Sequence, residues 1–196
     1  MAALIFSVAS FGQLTQHERD LALSYLYSSQ KQFVDSLEGL SPAQLNFKPA
    51  PDRWSIAECA EHIMLSEDMI FALITTQIMK SPAVEPKLPA SEREKNDMQV
   101  IASVESREKK FTAPEQLKPT GKVANVPDAV AHFNASRAIT LDYVRSGQDD
   151  LRHHYGTHPT MGSMDAYDWI LMLAAHTERH TAQIKEIKAD PNFPKS

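Results

Sequence analysis

Several things are scarce in this sequence, and each shortage removes a class of protein. A single cysteine, Cys59, excludes an internal disulfide and a cysteine-rich metal site. No run of Lys and Arg is long enough to track a phosphate backbone, and the net charge is −5, which argues against nucleic acid as a partner. Nothing approaches the ~20 consecutive apolar residues that a membrane-spanning helix needs. Only six glycines occur. There is no internal repeat and no strong alternation of the kind that marks strands.

What is present points to helix. Ala, Leu, Gln, Glu, Lys and Met are plentiful, and these are good helix formers. The chain has 196 residues, 42% hydrophobic and 23% charged, an ordinary globular balance sufficient for one domain with a sizeable core. Residues 1–14 open with the apolar stretch MAALIFSVASFGQ. It reads either as a first hydrophobic segment or as the remnant of an export signal without its basic start. Location therefore stays open between cytoplasmic and exported. Residues 15–190 read as a single domain.

Helix boundaries can be read from capping chemistry. Thr15 and Glu18 form an S/T-x-x-E capping box, and Ser55 and Glu58 form another. The first helix would turn Leu23, Leu26, Phe33, Val34 and Leu37 inward and end near Gly39 and Pro42. The proline-rich stretch LSPAQLNFKPAPDRW reads as a loop. The second helix should run to about Met79, with Cys59, Ile63, Ile70 and Leu73 facing in and His62 on or beside that face. Trp54 could staple onto Cys59 at its start.

Pro82, Pro86 and Pro89 then interrupt any pattern, and a short polar helix is expected from about Ser91 to Lys110. Residues 112–125 read as irregular, a long connection that suits a crossover or a flap over a site. Pro127 and Asp128 suit the first turn of a third long helix, with Val130, Phe133, Ile139, Leu141 and Val144 as its apolar face and Gly147 at its end. Asp149 to Ser163 reads as loop. The last helix, Asp165 to Lys188, is stopped by Pro191. The expected architecture is all-α, a four-helix bundle with long crossover connections.

The last helix carries the strongest functional signal. Trp169, Leu173, His176, His180, Ile184 and Ile187 fall at three- and four-residue steps on one stripe. Its middle is two histidines one turn apart. An i, i+4 pair projects both imidazoles from one face, as in helical zinc sites. Buried imidazoles without partners cost on the order of 1–3 kcal/mol each, so the pair requires either hydrogen-bonded partners or a ligand. His154 and His158 share the spacing, but Gly156 and Pro159 make that segment a poor helix. If the second and fourth long helices face each other, His62 becomes a third imidazole. Three protein ligands with an open position are typical of a catalytic metal site. Glu58 is explained by its cap, Asp168 by the helix dipole and Cys59 as a buried thiol, while Gln183 could orient a ligating histidine.

These segments resemble the DinB-like family, the DNA-damage-inducible, YfiT-type metalloenzymes. The matching pieces are RWSIAECAEHIMLSED around His62, AAHTERHTAQIKEI around His176 and His180, and HPTMG before the last helix. The resemblance extends from about residue 15 to 189. It implies a four-helix bundle holding a divalent metal, zinc or nickel, on His62, His176 and His180. It also implies a small-molecule substrate. Similar proteins include S-transferases that use a low-molecular-weight thiol, bacillithiol or mycothiol, and a thiol-dependent isomerase. The expectation is a metal-dependent thiol S-transferase or hydrolase. The alternative is a non-catalytic metal-binding or structural bundle in stress response. A homodimer stays open.

Overall fold

The computed structural model describes residues 13–195, so the apolar stretch 1–12 lies outside the described residues. Helix α1 spans Gln16–Leu37 and α2 spans Pro42–Asn46. Helix α3 spans Ile56–Thr76, α4 Ala90–Glu105, α5 Val126–Ser146 and α6 Ala166–Lys188. A short antiparallel hairpin, β1 (Tyr155–His158) with β2 (Gly162–Asp165), precedes α6.

Both expected capping boxes are present. Thr15 accepts from the Glu18 amide while Glu18 reaches back to the Thr15 amide, and Ser55 and Glu58 do the same. A third, Ser41 with Gln44, starts α2 inside the stretch expected to be loop. Pro42 sits at the first helical position, where its missing N–H costs nothing, so the proline that reads as a stop is in fact a start. Gly39 takes φ +70 in the turn between α1 and α2, a conformation that favours glycine.

Helix α6 is the centre of the molecule. From Ala166 to Ala175 every residue is buried, as expected for a helix surrounded by others. It packs against α1, α3 and α4, and α5 completes the square by packing on α1 and α3. The core is divided into two. One apolar cluster gathers Leu26, Ile70, Ile74, Leu141, Val144 and the first half of α6. The other gathers Phe33, Leu37, Cys59, Ile63, Phe133, Ile184 and Ile187. Between them all four long helices contribute buried polar residues: Ser29 from α1, Ser66 and Glu67 from α3, Arg137 and Thr140 from α5, Thr177, His180 and Thr181 from α6. The bundle therefore carries a polar layer across its waist.

Several sequence expectations are corrected. Ile139 is 60% exposed, because Arg137 takes the inward position on that turn of α5. Leu23, Val34, Leu73 and Val130 are only partly buried. The polar helix α4 ends at Glu105, and α3 gives way after Thr76 to a single 3₁₀ turn, Ile78–Lys80. Residues 112–125 are irregular apart from a 3₁₀ turn at Glu115–Leu117. The hairpin occupies a segment expected to be loop. His158 ends its first strand and His154 lies just before it, so neither is on a helix, and His154 Nδ1 donates to the Ser81 carbonyl at 2.7 Å.

Candidate metal centre

His62 is the seventh residue of α3, on the turn where the second apolar cluster gives way to the polar layer. His176 and His180 lie on the α6 stretch that crosses the same layer. The packing of α3 on α6 brings the three rings together. Their nitrogens form a group within 4.8 Å of one another, and among the described residues no carboxylate or thiol joins it. Ring centroids are 4.4 Å apart for His62 and His180, 4.5 Å for His176 and His180, and 4.9 Å for His62 and His176.

Two rings are oriented by their outer nitrogens. His62 Nδ1 donates to the Leu117 carbonyl at 2.7 Å. A carbonyl only accepts, so the proton sits on Nδ1 and Nε2 presents a lone pair. His180 Nδ1 lies 3.0 Å from Gln183 Oε1, which selects the same tautomer. His62 Nε2 and His176 Nε2 are 3.2 Å apart. Tetrahedral zinc with Zn–N of about 2.0–2.1 Å separates ligand nitrogens by about 3.3 Å. The donor set and this spacing fit a divalent metal.

The surroundings keep the rings neutral. Burial, then the neighbouring His180 and His62, holds the His176 imidazole well below its ordinary range. Burial and then His62 push His180 down to about 3, against the opposing pull of Gln183. Burial also lowers His62, and the Leu117 carbonyl opposes it. Neutral imidazole is the ligating form. His62 and His180 are buried, whereas His176 keeps some exposure.

The side walls come from residues to which the sequence assigned no part in the site. The Trp54 ring packs 4.8 Å from His62 and 6.0 Å from His180, so Trp54 belongs to the site as well as to the core. His158, at the end of β1, sets its ring edge on Trp169 at 5.5 Å and accepts on Nδ1 from the Thr160 and Met161 amides. Arg179 donates to the carbonyls of Val104, Ser106 and Lys109, binding the end of α4 beside His180. Arg179 has no local sequence signature, because its partners lie 70 or more residues away in the chain.

The remaining candidates have other roles. Cys59 is fully buried, and burial pushes its thiol up to about 12, so it stays protonated. Glu58 is taken up by its cap and by Lys48 at 2.7 Å. Asp168 is more than a dipole acid. It is 4% exposed beside Asp97 and Asp165, and burial, then those two charges, push it up to about 8. Among the described residues no helix is long and apolar enough to cross a membrane.

Comparison with known proteins bears on the family and the fold. The family model described as DinB superfamily matches residues 25–184. The uncharacterized protein YuaE of Bacillus subtilis (strain 168) is 27% identical over 154 residues, 79% of this chain and 89% of YuaE. YfiT from Bacillus subtilis, described as a probable metal-dependent hydrolase with an unusual four-helix bundle topology, has a similar structure. Its TM-score is 0.58 at 16% identity, covering 92% of this chain and 91% of YfiT. TT2238, a four-helix bundle protein, has a TM-score of 0.52 at 20% identity, covering 86% of this chain and 98% of its own. At these identities the two structures establish the fold, a four-helix bundle. The chain belongs to the DinB superfamily.

Proposed function

We propose that the protein is a divalent-metal-dependent enzyme acting on small molecules, a thiol S-transferase or a hydrolase, with His62, His176 and His180 as its ligands. The metal is zinc or nickel. The observation that carries the reading is the facing of His62 Nε2 and His176 Nε2 at 3.2 Å while the outer nitrogens of His62 and His180 are engaged elsewhere. A bound cation supplies positive charge that makes water or a thiol lose its proton more readily. The protein keeps its three imidazoles neutral, orients two of them through Leu117 and Gln183, and walls the site with Trp54.

A cation on three histidines would bring water to a pKa of about 7, and a thiol of about 8.5 ionises readily as well, so the thiol is put first on the family resemblance alone. In S-transfer the thiol proton leaves to solvent, a C–S bond forms, and the electrophile's leaving group departs with its electron pair. The partial exposure of His176 favours an accessible site over a sealed structural one.

Elemental analysis of the wild type and of His62→Ala, His176→Ala and His180→Ala tests the assignment. Near-stoichiometric metal in the wild type and its loss from each variant are expected. Metal retained by all three would remove these ligands from the reading. A panel of small thiols with an electrophilic probe should show turnover that a strong chelator abolishes. Equal rates with and without chelator would leave the centre without a catalytic part.

A further inference from the structure

Glu61 precedes His62 in α3 and is 2% exposed, yet among the described residues it pairs with no cation. Its carboxylate accepts four hydrogen bonds, all from one short stretch of the α4–α5 crossover. Oε1 takes the Thr120 amide and the Thr120 hydroxyl, each at 2.8 Å. Oε2 takes the Gly121 amide at 2.8 Å and the Lys122 amide at 3.0 Å. Three successive N–H groups converge because Gly121 adopts φ +83, which curls the backbone into an anion-binding nest. Three residues upstream of Thr120, the same stretch presents the Leu117 carbonyl to His62 Nδ1 at 2.7 Å.

We infer that Glu61 is a positioning residue for the metal centre: it clamps residues 120–122, so that the Leu117 carbonyl stays where it fixes the tautomer and orientation of His62. This rests on the reading of His62 as a ligand. The geometry makes the dependence direct. Residues 112–125 form no long helix or strand of their own, so the carboxylate supplies the fixed acceptor their amides would otherwise lack. Neighbouring positions on α3 thus hold the two ends of one device, the ligand at His62 and the clamp at Glu61. A carboxylate suits the clamp because it only accepts. Glutamine would turn an NH₂ group toward amide donors.

The test uses full-length protein with ¹⁵N-labelled histidine, the His62 signals being assigned by their loss in His62→Ala. In metal-free wild type, His62 is expected with Nδ1 protonated and Nε2 bare. In Glu61→Gln both signals should move toward the average of the two tautomers, and the amides of residues 120–122 should exchange faster. Zinc affinity, measured by competition with a chromophoric chelator, should fall by roughly 10- to 100-fold, the range for lost partners of metal-ligating histidines. A folded Glu61→Gln with wild-type His62 signals and wild-type affinity overturns the inference. If Glu61→Gln does not fold, Thr120→Val removes one donor and keeps the three amides. It should move the same signals in the same direction by less. Faster exchange at residues 120–122 with unmoved His62 signals then overturns the inference. The nitrogen signals are read without metal. A wild type that binds neither zinc nor nickel therefore defeats the metal reading, while the signals still decide the clamp.

Discussion

Replacing Glu67 with glutamine probes the polar layer at its most demanding point. Arg137 is 0% exposed and has five N–H donors, each with a partner. Nε and Nη2 bond the two Glu67 oxygens at 2.8 Å each. Nη1 bonds the Leu26 carbonyl at 2.8 Å and Ser29 Oγ at 2.7 Å, and Nη2 bonds Thr177 Oγ1 at 3.0 Å. One ion pair on α5 and α3 thus reaches α1 and α6 as well. Glu67→Gln keeps the shape, removes the counter-charge and points an NH₂ group at the guanidinium. Breaking a buried pair from one side costs about 3–5 kcal/mol. Against a total stability of about 5–15 kcal/mol this is a large fraction. At about 2–4 °C per kcal/mol for a chain of this size, Tm should fall by roughly 6–20 °C. Urea unfolding of the metal-free protein, followed by far-UV circular dichroism, measures the loss without a contribution from bound metal. The double variant Glu67→Leu/Arg137→Met should lose less than the single one. Ser29 and Thr177 keep backbone acceptors of their own at 3.1 and 3.3 Å, so few polar groups are stranded. A loss below about 1 kcal/mol for Glu67→Gln, or a double variant weaker than the single, would refute the reasoning.

Two further outcomes follow from buried titrating groups. The folded Asp168 carboxyl keeps its proton up to about 8, whereas an unfolded one releases it near the ordinary 3.8, so the wild type loses stability as pH rises between those values. Asp168→Asn keeps an acceptor for Asn96 and does not titrate. It should exceed the wild type by a few kcal/mol at pH 8.5 and match it near pH 4, and equal unfolding curves at pH 8.5 would contradict this. The histidines have the opposite sign. Unfolded imidazoles take up protons from about 6.5 downward, while His180 stays neutral to about 3, so stability falls as pH drops through that window. Metal release followed with a chromophoric indicator should therefore have its midpoint between those values and accompany loss of helix. A midpoint above 6.5 with the fold intact would show that the rings are not depressed.

Legibility in the sequence followed the range of the interaction. Capping boxes are settled by residues three apart, and both that were expected are present. The histidine pair was visible as a polar break in an apolar stripe, His62 joined it on the condition that the second and fourth long helices face each other, and the resemblance pointed to the same three residues. The hairpin was not visible. Its strands, YGTH and GSMD, are four residues each with no apolar alternation, and pairing across the turn defines them. Arg137 was hidden because a lone arginine on an amphipathic helix reads as solvent-facing, and its partner Glu67 is 70 residues away. Leu117 contributes a main-chain carbonyl, a group that every residue carries. Asp168 was assigned to the helix dipole because its burial and the approach of Asp97 depend on α4, and only Asp165, the helix's own N-cap, is local.

The long crossover is part of the site because its polar anchors lie beside the histidines in the chain. Arg179 adjoins His180 and holds the end of α4 through three carbonyls. Glu61 adjoins His62 and holds residues 120–122. His62 itself closes the set by bonding Leu117. A helix pair alone could bring three imidazoles together, but it offers no acceptor at His62 Nδ1 to choose the tautomer. The crossover supplies that acceptor from outside the bundle, and the bundle supplies the crossover's anchors. Order in residues 106–122 and affinity at the three nitrogens are then linked. On the proposed reading, whatever orders the segment should strengthen the centre, and by reciprocity a metal on the three histidines should order the segment.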